Sequence, residues 1–527
     1  MHQILRMPLA FVLLALALAL HPAAATASEA EPEPPQGLTV DGDPPPPPLA
    51  PLGSDAFVAA KMPMKVVYPR PDSETSSTAR HRLAYPGLEY KIPLAIQGGA
   101  YPFTFEVVSG PSDMQVSNDP REEDYGTLTW IPPTDPQPAT TVRVQVTDQE
   151  GSTIDVTYSV AVTREHFVFL DPGAPERGDG TIGAPLNAFS DIHRDSSSDT
   201  TYAGDILYLR DGRHFLTGPS DSNGNYKVDN QNKPVVWLAY PDEDVVVDAS
   251  SSVFNVIQGG AASDIFMHGF RMENARADIS NSRFFFMAGD SADRATFFDV
   301  SFRNLGRGTS GGTDNPGAIV QFKGTDWRDY LAVINCDIED YSAPLVGSVY
   351  TTRHAVIEGN VLGPTSGNPN QGIYAKNAND LWSIRKNRSI YANFPEGAIQ
   401  MGMGDGSYGP QRVEIAYNLI RVPDLKRAVV TNWNNFVTGE NRVWLYRNTI
   451  AGFVSTLSGQ YTLTIERNVF FTDNDLPDSN GERVVVQENN LVRPTSDLGN
   501  LLGAEYQLIG DFRTQYAGSH GHEILSR

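Results

Sequence analysis

The chain has 527 residues, a formal charge of −23 and a single cysteine, Cys336. Its length exceeds one ordinary core and predicts two or more domains. The acidic balance argues against nucleic acid and against holding an acidic polymer by net attraction, though a local basic groove stays open. One cysteine allows no internal disulfide, so stability must come from packing, with Cys336 a buried repeat residue.

The N-terminus carries Arg6, an apolar run from Leu9 to Leu20, and Ala25-Thr26-Ala27. That order of charged, apolar and small residues reads as a secretory signal peptide over 1–27, cleaved after Ala27, and the run is too short to span a bilayer. The single cysteine, Cys336, lies far beyond this run in the repeat region, which argues against a lipid anchor. Residues 28–63 are acidic and proline-rich and predict an extended linker. Over 64–165 short alternating runs such as FTFEVV, GTLTWI and TVRVQVTD predict a small β-sandwich. Its order of Tyr101-Pro102-Phe103, Gly126-Thr127-Leu128-Thr129-Trp130, Val142 to Asp148 and Val160-Ala161-Val162 resembles the immunoglobulin-like or cadherin-like modules of secreted bacterial proteins. The resemblance implies a spacing or binding role rather than catalysis.

From 166 to 510 one phrase recurs nine times, most clearly as VIEGNVL, SIRKNRSI, EIAYNLI, WLYRNTI, TIERNVF and VVQENNL. Its key positions are Gly269, Ser301, Asp337, Asn360, Asn387, Asn418, Asn448, Asn468 and Asn489. A fixed phrase at roughly 20- to 36-residue intervals signals a solenoid. The β-branched and aromatic alternation makes it a β-solenoid. Asparagine tolerates left-handed backbone at a corner, and stacked coils ~4.8 Å apart let equivalent amides bond to one another. Phe167 to Gly173, then Ala203 to Leu209, together with the repeats, resemble extracellular β-helix proteins of the pectate-lyase-like superfamily. The fold class implied is all-β, a right-handed parallel β-helix solenoid behind an N-terminal immunoglobulin-like β-sandwich. Pro185 to Ile192 predicts a short amphipathic helix covering the first coil, and 511–527 is a C-terminal tail.

Each coil has a second strand: GAIVQFKG, PLVGSVY, GIYAKNA, GAIQMGM and AVVTNWN. Alternation sends Val320, Phe322, Leu345, Val349, Ile373 and Ala375 inward and Gln321, Lys323, Ser348, Tyr350, Tyr374, Lys376 and Gln400 outward. Arg353 and His354 lie just beyond. The strip suits an extended extracellular polysaccharide; the plain alternative is a solvated sheet face. The inserts 306–316 and 363–371 would wall such a groove. Ile373 to Asn377, followed by Trp382 to Asn387, is similar to the lysine-bearing coil of the alginate and chondroitin lyase β-helix family. That resemblance implies Lys376 as the base. The family's assisting arginine would fall near Gln400-Met401, where no arginine stands, so Arg353, Lys323 or Arg412 would supply the charge. Tyr350 or Tyr374 is the acid candidate and His354 a second base. Gln321, Lys323, Tyr374, Gln400, Arg412 and Trp433 are the contact candidates.

The expected function is a secreted, monomeric lyase cleaving a uronic-acid-containing glycan by β-elimination. A β-helix glycoside hydrolase, with Asp405 paired to Asp380 or Glu396, or a polymer epimerase is the enzymatic alternative. A glycan-binding or adhesive surface protein is the non-enzymatic one. Cofactors are unknown; Asp326 with Asp329, or Asp473, Asn474, Asp475 and Asp478, could gather Ca2+ without matching a known calcium loop.

Overall fold

A computed structural model describes residues 58–120, 122–192, 202, 204–216, 234–249, 263–275, 285–288, 293–305, 320–323, 328–341, 345–348, 352–363, 372–375, 379–390, 397–402, 411–422, 427–432, 441–456, 460–479 and 483–495. The signal peptide, the linker up to residue 57 and the C-terminal tail lie outside them, whereas Val58 and Met62, expected in the linker, are buried in the core of the module that follows. Among the described residues, the strands from Phe167 onward form three sheets of twelve, eleven and seven strands. Each strand pairs in parallel with its counterpart one coil on. One full turn runs Asn379–Arg385, Arg388–Ile390, Ile399–Gly402 and then Arg412–Ala416, which lies beside Asn379–Arg385. This is the parallel β-helix that the repeats lead one to expect.

The turn from the twelve-stranded to the eleven-stranded sheet closes with two residues in every coil that carries the phrase. Gly359-Asn360, Lys386-Asn387, Tyr417-Asn418, Arg447-Asn448 and Arg467-Asn468 fill it. The first residue of each pair, not the asparagine, takes the left-handed backbone, with φ between 52° and 75°. The asparagines do something else. Asn360, Asn387, Asn418, Asn448, Asn468 and Asn490 form a ladder in which each Nδ2 donates to the next Oδ1 at 2.8–3.0 Å. Each Oδ1 also accepts the backbone N–H of the preceding ladder residue. A second Nδ2 hydrogen goes to a strand carbonyl of the preceding coil. Inside a dry corner an amide is stable only when its donors and acceptor are met.

The repeat phase is corrected at four places. The ladder residue of the last coil is Asn490, with Asn489 holding the left-handed turn at φ 52°. In the early coils the equivalent places are Phe270, Val300 and Cys336 rather than Gly269, Ser301 and Asp337. All three are fully or nearly fully buried, and Cys336 receives the ladder through a 2.9 Å bond from its N–H to Asn360 Oδ1. With an apolar residue at the corner, the pattern alone does not separate it from its neighbour, Gly269, Ser301 or Asp337.

The coil interior is a single apolar column of stacked Val, Ile, Leu and Phe, joined by Trp237 and Trp382. At its start Leu186 pairs beside Leu170 on the outer edge of the first strand, and Leu186, Phe189 and Ile192 join the core. The expected capping helix is one 3-10 turn, Phe189–Asp191.

Ahead of the solenoid, the strands between Lys65 and Val162, antiparallel except for Leu83–Ala84 beside Ala161–Val162, form a four-stranded sheet, a three-stranded sheet and the pair Lys65–Tyr68 with Ala95–Gln97. This module is no pendant. It lies along the outer face of the twelve-stranded sheet within one compact unit. Val67, Leu83, Tyr85 and Ala95 bury Phe167, Tyr208, Phe266, Phe298 and Val356, while Tyr101 and Phe103 share a core with Ala416, Trp444 and Tyr446. At its centre Arg385 is fully buried. Its guanidinium meets Glu358 at 3.2 Å and Glu414 at 3.7 Å, donates to the Ile96 and Gly98 carbonyls, and stacks over Tyr101 and Phe103. Burial disfavours its charge, but the two carboxylates outweigh that and hold its pKa above the ordinary value.

Candidate active site on the seven-stranded sheet

Chain length between strands is spent unevenly. In every coil that carries the phrase the corner into the eleven-stranded sheet is a dipeptide, but long connections enter the seven-stranded sheet from Leu305 to Val320, Leu362 to Ile373 and Ile390 to Ile399. Long ones also leave it from Gly402 to Arg412 and Asn432 to Arg442. In solenoids such insertions build the binding face.

Register fixes what that face presents. Val346, Ile373, Ile399 and Val429 form one inward column, and Gly347, Tyr374, Gln400, Val430 and Ser455 form the outward one. Leu345 and Val346 are both core residues, so alternation in that coil starts one place late. Gly347 therefore takes the outward position assigned to Ser348, whose backbone falls in the inward column beside Ala375. Tyr374 and Gln400 stand next to each other as expected, yet they are only 3% and 2% exposed. The face carries an aromatic ring and an amide under cover, not an open solvated strip.

Lys376, Tyr350 and Trp433 lie outside the described residues, as do the side chains of Gln321 and Lys323 and the carboxylates Asp405, Glu396 and Asp326. Arg353 and Arg412 sit at the start of the twelve-stranded sheet, where the chain arrives from the seven-stranded one. Arg353 grips Asp329 in a fork of 2.9 and 2.7 Å, and Arg412 grips Asp380 at 2.9 and 2.6 Å. Each arginine is 37–39% exposed, so a charged face remains toward solvent. Asp380 is buried with both oxygens on Arg412, which leaves it a poor partner for hydrolysis.

His354 points elsewhere. It stacks on Tyr330, and its Nδ1 donates to Gln97 Oε1 of the module at 2.7 Å. Burial, helped by Lys65, lowers its pKa to about 4, so the ring is neutral at pH 7 but committed to the module seam. Asp329 is held by Arg353, and Asp473 accepts from the Thr495 N–H and hydroxyl, which lowers its pKa. Among the described residues no group of three or more His, Cys, Asp or Glu is placed to hold a metal. Nor is any helix among them long and apolar enough to cross a membrane. The residue pair that sequence reasoning passed over is Arg385 with Glu414. Each reads as the polar part of a repeat phrase, and only the module facing them gives them a role.

No protein-family model matches the chain, and no curated protein matches it. Among solved structures it is similar to a chain of "The complex structure of XylC with xylose", at 10% identity and a TM-score of 0.36, over 63% of this chain and 84% of that one.

Proposed function

We propose that the protein is a secreted polysaccharide lyase that holds an extended, uronic-acid-containing glycan along the seven-stranded sheet and cleaves it by β-elimination. The observation that carries this reading is the placement of the long connections on both margins of that one sheet. The other outer faces are engaged otherwise. The module covers the twelve-stranded sheet, and on the eleven-stranded sheet Arg213 bridges Asp248 and Glu273 while Arg303 pairs with Asp337 and Glu339. One outward position per coil, repeating every ~4.8 Å, gives successive sugars equivalent contacts.

In this reading Lys376, next after the inward Ala375, takes the proton beside the sugar carboxylate. The electrons form a ring double bond, the glycosidic C–O bond breaks, and Tyr350 protonates the leaving oxygen. The half-exposed Arg353 and Arg412 lie on the margin where a carboxylate needs neutralising. The Lys65–Val162 module is read as immunoglobulin-like, and its role as holding the solenoid rather than seeking substrate. The test is incubation with a panel of polyuronates and sulfated glycans, following the ultraviolet absorbance of unsaturated uronate alongside reducing ends. Both rise for a lyase. Reducing ends alone make it a hydrolase, and binding without either makes it a glycan-binding protein.

A further inference from the structure

The outward face of the eleven-stranded sheet changes character along the stack. In the early coils one outward column holds Arg271, Ser301 and Asp337, and the column beside it Glu273, Arg303 and Glu339, all reaching solvent. In the late coils the same columns hold Leu419, Thr449 and Val469, and then Ala451 and Phe471. These point outward, because Ile420, Ile450 and Phe470 next to them lie in the coil interior. Yet all five are buried, Val469 and Phe471 to 0% and 1% exposure. A side chain on the outer face of a sheet is buried only where something lies across it.

The module packs on a different sheet, and none of Leu419, Ala451, Val469 and Phe471 belongs to its seam or to the coil interior. The connections within these coils are too short to fold back. The entry corner is the dipeptide ending in asparagine; on the other margin only residues 422–426 separate Leu419–Arg421 from Arg427–Asn432, and only Gly452 separates Thr449–Ala451 from Phe453–Thr456. The long connection 391–398 belongs to the coil before Leu419, three coils or ~14 Å short of Val469. The chain beyond Thr495, in contrast, starts beside the patch. Thr495 is tied through its N–H, at 3.1 Å, and its hydroxyl to Asp473, two residues past Phe471. Residues 496–527 therefore set out from the patch margin, and they begin SDLGNLLGAEYQLIGDF, a stretch rich in leucine and low in charge. From Val469 back to Leu419 is two coils, ~10 Å, which about three extended residues cover.

We propose that the chain's own C-terminal segment, residues 496–527, turns back at Thr495 and lies across this face, with Leu501 and Leu502 among the side chains seated on Leu419, Val469 and Phe471. The segment braces the late coils on a face the module does not touch. This docking is independent of the glycan reading.

The test uses the full mature chain. Leu491→p-benzoylphenylalanine puts a photo-crosslinker on the half-buried residue at the rim of the patch. Irradiation should join it to a peptide from 496–527 of the same chain, identified by mass spectrometry. Hydroxyl-radical footprinting should find Phe471 protected. The double substitution Leu501→Asp with Leu502→Asp should raise its labelling several-fold, while Tyr101, buried in the module seam, stays protected and shows that the fold is intact. A crosslink between two chains would give the face to a second copy, and one to 391–398 would give it to that connection. Either result, or Phe471 labelling that the double substitution leaves unchanged, would overturn the proposal.

Discussion

Asn418→Ala offers the sharpest test of what holds the coils in register. Asn418 sits mid-ladder and is fully buried. Its Oδ1 accepts from the Asn387 N–H at 2.9 Å and from Asn387 Nδ2 at 3.0 Å, while its own Nδ2 serves Ile384 O and Asn448 Oδ1. Truncation strands two buried donors of Asn387 with no water to replace the lost acceptor. At about 1–3 kcal/mol for each stranded group, the loss is about 2–6 kcal/mol. Asn490→Ala removes the same bonds at the half-exposed last rung, where solvent can substitute, and should cost about 1 kcal/mol. Urea unfolding of both variants gives the comparison, and amide exchange at Asn387 should quicken only in the first. Equal losses, or an Asn418→Ala loss below that of Asn490→Ala, would refute the ladder as a source of stability.

Arg385→Met leaves Glu358 and Glu414 buried without their cation and should cost about 3–5 kcal/mol in denaturant unfolding. Adding Glu414→Gln should recover part of it. Burial raises the Glu414 pKa, Arg385 and the hydroxyls of Ser383 and Tyr446 pulling it back only in part. Its contribution to stability is therefore full at low pH and lost as pH rises through that raised value, and Glu414→Gln should remove this slope. His354 has the opposite sign. With a folded pKa of about 4 against 6.5, its contribution is present above 6.5 and lost as pH falls toward 4, and an NMR titration of its ring checks the value. Lys376→Ala should keep stability and glycan binding while abolishing turnover. Arg412→Ala should instead lower the melting temperature, because buried Asp380 loses its cation.

The solenoid was legible because its architecture repeats a chemical necessity: a corner amide that must find partners in each coil leaves an asparagine in each phrase. Legibility fails where another residue meets the same need. Phe270, Val300 and Cys336 fill the corner with apolar bulk that looks like any other strand residue, so the phase slips by one to Gly269, Ser301 and Asp337. The module's docking was hidden for a related reason. Trp444 and Tyr446 alternate with core residues, but alternation cannot say whether the second face meets water or protein. The same blindness affected the site: register correctly paired Tyr374 with Gln400, whereas alternation alone does not tell that both are buried.

A stack of near-identical coils is a one-dimensional array, and such arrays fray from their ends because each coil touches only its neighbours. Here Tyr85 packs on Phe167 and Phe169 in the first coil while Lys61 reaches Glu466 at 2.7 Å near the last. The module thus acts as a splint, coupling coils far apart along the axis. Opening one end must break contacts at the other, so the protein should melt in a single calorimetric transition, and proteolytic nicking should begin in the long connections rather than at the last coil.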